Sequence, residues 1–160
     1  MIRRYRESDR SAVIDLVLRI QNGEYHLGLS LSDQPDMDDI DATYRQAGGD
    51  FWVADESGEI IGCIGLLPIS TSVAVLKKFF VESRFRGSTH GVSSALFSEL
   101  ISHARSSGLD AIILDTPSVA TRSHAFYRRS GFLPISKEAL PVPYDYPDRD
   151  SMLFILHLKS

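Results

Sequence analysis

Apolar residues recur along this chain in two rhythms, every second position or every third to fourth, and the two rhythms alternate in blocks. Residues 2–6 read as a short strand. Ser8 or Asp9 then starts a helix whose Ala12, Val13, Leu16, Val17 and Ile20 share one face. Residues 21–36 are loop-rich, with Gly23, Gly28 and Pro35. A second helix is marked by Met37, Ile40, Tyr44 and Ala47 and stopped by Gly48 and Gly49. Residues 51–55 and 59–69 form a hairpin across Glu56, Ser57 and Gly58. An apolar strand follows at residues 73–81, then a helix over 89–107 with Val92, Ala95, Leu96, Leu100, Ile101 and Ala104 on one side. A β-rich run at 111–115 leads to a helix that starts near Pro117 and Ser118 and stops at Gly131. Residues 132–135 and 152–158 are the last strands.

Composition narrows the class. A chain of 160 residues suits one domain spanning residues 1–160, with 43% hydrophobic and 24% charged residues, as in globular proteins. No apolar stretch approaches the length of a membrane helix, and the N-terminus lacks the apolar segment of a signal peptide, so a cytoplasmic protein without membrane contact is expected. A formal net charge of −4 argues against nucleic-acid binding. The single cysteine, Cys63, rules out an internal disulfide and lies in an apolar run, as a buried thiol would. The histidines lack zinc-type spacing, so no metal is expected.

The chemistry concentrates in residues 79–96, FFVESRFRGSTHGVSSAL. A strand runs into a turn of small residues at a helix N-terminus, where unpaired N–H groups and the helix dipole favour an anion. Arg84 and Arg86 add positive charge with fork geometry suited to phosphate. The chain has no Gly-Lys pair, which excludes a P-loop, and RGSTHG does not fit the dinucleotide fingerprint. The turn resembles the acyl-CoA loop of the Gcn5-related N-acetyltransferase (GNAT) superfamily, Q/R-x-x-G-x-G/A. Arg86 fills the first position and Gly91 the last, with Thr89 in place of the middle glycine. A β-branched residue is strained at positive φ, so Thr89 is expected at ordinary helical angles, its hydroxyl available to a phosphate. A second phrase of the superfamily, A-x-x-F-Y-x-K-x-G-F, is matched by residues 126–132, FYRRSGF, with Ala120 and Ser123 where Asn and Ala are common.

The resemblance spans the whole chain. It implies an α/β (α+β) fold with a mixed, mostly antiparallel sheet flanked by helices, in the order β-α-α-β-β-β-α-β-α-β-β. It implies acetyl-CoA as cosubstrate and N-acetylation of a small-molecule or peptide amine. Phe79, Phe80, Val81, Arg86, Gly87, Ser88, Thr89, His90, Gly91 and Val92 would then hold the cofactor, and Tyr127 would protonate the leaving thiolate. Relatives often carry a basic carboxylate on the strand at 73–81, which here has Lys77 and Lys78 instead. Glu24 and His26 are the alternatives, in a loop that by fold analogy overhangs the acceptor. With Tyr25 and Tyr144 they form the expected acceptor site. Acidic stretches at 33–41 and 144–150 would favour a cationic amine, and the proline-rich residues 141–147 would wall the site or mediate a homodimer. A non-catalytic acyl-CoA sensor and a module for another phosphorylated ligand are the competing readings.

Overall fold

The computed structural model describes residues 1–146 and 150–159. Among them, seven strands form one sheet: β1 (Ile2–Arg4), β2 (Asp50–Glu56), β3 (Glu59–Pro68), β4 (Val73–Val81), β5 (Ala111–Pro117), β6 (Leu133–Ile135) and β7 (Ser151–His157). Their spatial order is β1-β2-β3-β4-β5-β7-β6. Every neighbouring pair is antiparallel except β4 and β5. Three α-helices flank the sheet: α1 (Arg10–Arg19), α2 (Val92–Ser106) and α3 (Thr121–Arg129). The expected fold class is the observed one.

Strand alternation sends side chains to two cores. On one side Trp52, Ala54, Leu66, Leu76 and Val81 pack with Leu96, Leu100 and Ala104 of α2 and Tyr127 of α3. On the other, Phe51, Val53 and Cys63 pack with Val13, Leu16 and Val17 of α1. Farther along that second face, Leu140, Val142 and Tyr144 cover Val73, Val75 and Ile113.

The second helix of the sequence reading is absent as an α-helix. Its place holds a 3-10 turn at Pro35–Met37 and one wide, five-residue turn at Asp41–Arg45. The apolar positions that suggested a helix, Met37, Ile40 and Tyr44, are buried as expected. Their spacing reports a buried face, and a series of tight turns satisfies it as well as a regular helix does. Side-chain bonds fix the alternative: the Tyr44 hydroxyl donates to Asp36 at 2.6 Å, and the Asp39 carboxylate accepts from the Ala42 N–H at 3.0 Å. The segment ends where expected, because a Cβ on Gly49 would stand 1.8 Å from the Leu66 carbonyl oxygen. Two other boundaries move. Strand β5 runs through Pro117, so α3 begins at Thr121 rather than beside Ser118, and α2 begins at Val92 rather than Thr89.

Two features of β4 prepare the site. Its parallel pairing with β5 covers only Val73, Val75 and the residue between, after which the strands part. Its register with β3 shifts between Cys63 and Gly65, and in that bulge Lys78 adopts φ 55°. A bulge inserts one residue and bends its strand, here away from β5.

Candidate active site

Where β4 and β5 separate, the edge of β4 beyond Val75 has no strand partner on that side among the described residues. The Glu82 N–H donates to the Ile61 oxygen of β3, so by alternation the N–H and C=O of Val81 point the other way, into the gap. Arg86 Nε bonds that Val81 oxygen at 2.8 Å. The turn after β4 delivers the chain to α2 through Gly87 at φ 100° and Gly91 at φ 68°, both left-handed and with open space where a Cβ would stand. Gly91 is the N-cap, so the first-turn N–H groups of α2 face outward beside an unobstructed backbone. Thr89 keeps a φ outside the left-handed region, as a β-branched residue should.

A cleft of about 510 Å³ opens over this turn, between β4, α2 and α3. Phe79, Phe80, Val81, Arg86, Gly87, Ser88 and Gly91 line it, as does Tyr127. Thr89, His90 and Val92 were expected there and do not line it; His90 packs edge-on against Phe85, with ring centres 5.8 Å apart. Starting α2 three residues later turns these side chains aside and brings Ser93 and Ser94 to the wall. Arg122 and Arg129 of α3 complete the cationic lining. A free strand edge, a helix N-terminus without bulk and these arginines fit a long ligand with an amide-rich arm and a phosphorylated end.

A second cavity of about 330 Å³ lies on the other side of the gap. Tyr25, Phe79, Phe80, Ser123 and Tyr127 border both spaces. Tyr127 therefore stands at their junction, only 6% exposed, and burial pushes its hydroxyl well above the ordinary tyrosine range, with Tyr25 and Asp115 adding to the shift. Tyr144 lines the second cavity as expected, its hydroxyl donating to Asp115 at 2.5 Å. Of the neighbouring acidic stretch, Pro147, Asp148 and Arg149 lie outside the described residues.

Glu24 and His26 do not line this cavity. A wide turn at Ile20–Glu24 extends α1 and swings Glu24 toward the larger cleft, where it accepts a forked pair of bonds from Arg86 at 2.7 and 2.9 Å and a third from Arg122 at 3.2 Å. The Arg86 bond above all holds the Glu24 carboxyl below its usual range, against the upward push of burial. His26 sits at φ 54° in the turn that follows. The sequence reading missed Asp115, and it noted Lys77, Lys78 and the acidic stretch holding Asp36 without seeing that Asp36 and Lys78 pair, 3.3 Å apart; all four line the second cavity. Burial raises the Asp36 carboxyl, but Lys78, Lys77 and the Tyr44 hydroxyl outweigh it and leave it below the ordinary range. The available signal for Asp115 was its place as the one charged residue of the strand from Ala111 to Pro117, near its C-terminal end.

Comparison with known proteins settles the family. The model of the acetyltransferase (GNAT) family matches residues 14–132. This chain belongs to that family. Human N-acetyltransferase 8 is 30% identical over 129 residues, 78% of this chain and 57% of that protein, so the chain spans little more than half the length of this relative. An acetyltransferase from Streptococcus agalactiae has a crystal structure that superposes with a TM-score of 0.95 at 36% identity, covering 98% of this chain and 97% of that one. At 16% identity the fold alone is shared with yncA from Salmonella typhimurium, solved with its cofactor acetyl-CoA, at a TM-score of 0.75 over 100% of this chain and 94% of that one.

Proposed function

We propose that the chain is a single N-acetyltransferase domain that moves an acetyl group from acetyl-CoA to a primary amine, with both substrates bound at once. The observation that carries this reading is Tyr127, buried where it borders both cavities beside the parted strands. Acetyl-CoA supplies the acyl group as a thioester. The turn at residues 86–91 and the first turn of α2 hold its phosphates, and the open edge of β4 pairs with its amide arm. In this reading the Val81 N–H, which faces the gap, polarises the thioester carbonyl.

Asp115 takes a proton from the acceptor's ammonium and passes it to solvent. The freed amine bonds to the carbonyl carbon, the carbon–sulfur bond breaks, and the Tyr127 hydroxyl protonates the departing sulfur. The second amine proton then returns, through solvent, to the tyrosine. Alignment contributes most, because holding both reactants in one site removes about 7 kcal/mol or more of the barrier.

Acetyl-CoA should raise the melting temperature by mass action. Tyr127→Phe should keep that shift and lower kcat by roughly 10²-fold, the low end of general acid catalysis. A melting shift without acetylation of any amine would instead favour a sensor, and an unaffected rate in the variant would return Tyr127 to packing.

A further inference from the structure

The charges of the smaller cavity sort by what already binds them. Asp36 is paired with Lys78 and bonded by Tyr44. The Asp33 carboxylate accepts from the N–H and hydroxyl of Ser30, each at 3.0 Å, and Asp145 is exposed at the rim. Among the described residues two charged groups remain inside: Lys77 has no carboxylate within ion-pair distance, and Asp115 has only the Tyr144 hydroxyl.

These two groups stand in a definite relation. The parallel register places Val73 beside Ala111 and Val75 beside Ile113. Continued by two residues, it would set Lys77 beside Asp115, on the same sheet face by alternation. The strands part before that point, so the ammonium and the carboxylate occupy opposite walls of the gap. Asp115 is fixed by its ladder to Leu153 and lines the same cavity as Tyr127. The remaining wall includes Leu27, Leu29 and Pro35. A ligand matching this layout carries an ammonium on the Tyr127 side, a carboxylate opposite and an apolar substituent.

We propose that the acceptor is a free α-amino acid with an apolar side chain, its ammonium held by Asp115 and its carboxylate by Lys77. This rests on the acetyltransferase reading and names the substrate class of the same site. A peptide N-terminus or a polyamine lacks the carboxylate beside the amine and would leave Lys77 unmatched in a half-buried place.

The test compares leucine, leucinamide and 3-methylbutylamine as acceptors with acetyl-CoA. Leucine should exceed the other two in kcat/KM by about 10²-fold, as expected when a charge-assisted contact is lost. Lys77→Met keeps the apolar stem. It should collapse the ratio of leucine to leucinamide, mainly through the leucine KM, while Lys77→Arg should restore part of it. Calorimetric titration of leucine into the CoA-loaded protein reads the same contact without turnover and should weaken in Lys77→Met. Equal use of the amide or the plain amine, or a ratio unmoved in Lys77→Met, overturns the amino-acid assignment and leaves the acetyltransferase standing. Absence of both an acetyl-CoA melting shift and any acetylated product overturns the acetyltransferase reading, and this assignment with it.

Discussion

Burial shifts two side chains of α3 in opposite directions, in each case toward the neutral form. It raises the Tyr127 hydroxyl, keeping its proton available at any ordinary pH. It lowers His124, which bonds the Pro117 carbonyl oxygen at 3.0 Å; that bond opposes the shift and Arg128 adds to it. The histidine makes a testable contribution to stability. Its folded pKa lies below the unfolded value of about 6.5, so the unfolded chain takes up the proton first as pH falls. Stability from this group is therefore present above that value and is lost as pH drops through it. Melting temperature should decline from pH 7 to pH 5, and His124→Gln, which can still donate to Pro117, should flatten the decline. A slope unchanged in the variant would place the titration elsewhere. At this scale Tyr127 was legible because it sits inside a seven-residue phrase. Asp115 was not, because a lone carboxylate closing an apolar strand reads equally as a solvated end.

The glycines at element boundaries do different work, and substitution should separate them. At Gly49 any side chain meets the Leu66 backbone, which cannot move without breaking the β2–β3 pairing. At Gly91 the space is open and only the left-handed φ of 68° resists. Gly91→Ala should cost about 1–2 kcal/mol, the penalty of one L-residue in that conformation. Gly49→Ala should cost clearly more, and denaturant titration of the two variants measures the difference. Equal losses would mean that the Leu66 strand gives way. The same distinction explains which elements could be read beforehand. Helices α2 and α3 announce themselves through regular apolar spacing and, for α3, a terminal glycine: Gly131 has φ 101°, and the Phe132 N–H returns to the Tyr127 oxygen. The turns at 35–45 share the spacing of a helix but take their shape from side-chain bonds that periodicity does not record. The bulge at Lys78 left no apolar signature, and two consecutive lysines showed only as a polar break.

For the whole molecule, the sheet's parted strands create one space that opens on both faces, and the contents of each half follow from what lies over that face. Helices α2 and α3 flank the larger cleft, and residues 21–36 with Tyr144 and Asp145 flank the smaller. The larger cleft was legible because most of its wall comes from two runs, residues 79–94 and 122–130, each carrying one phrase of the family. The smaller one gathers single residues from distant segments, and only topology brings Lys77, Asp115 and Tyr144 together. Tyr25 belongs to both spaces and follows directly on Glu24, the residue that occupies Arg86 and Arg122. Any phosphate reaching those arginines competes with Glu24. Glu24→Gln should therefore tighten acetyl-CoA binding several-fold, as a fluorescence or calorimetric titration would show; weaker binding would mean that Glu24 organises the arginines rather than blocking them. The ion pair also sets a sequence in time. Through the chain, Glu24 ties its neighbour Tyr25, which borders the smaller cavity, to Arg86 and Arg122, and a phosphate that takes those arginines would undo the tie. Steady-state kinetics should accordingly show acetyl-CoA entering first and the amine second, with the order relaxing toward random once the carboxylate at position 24 is gone.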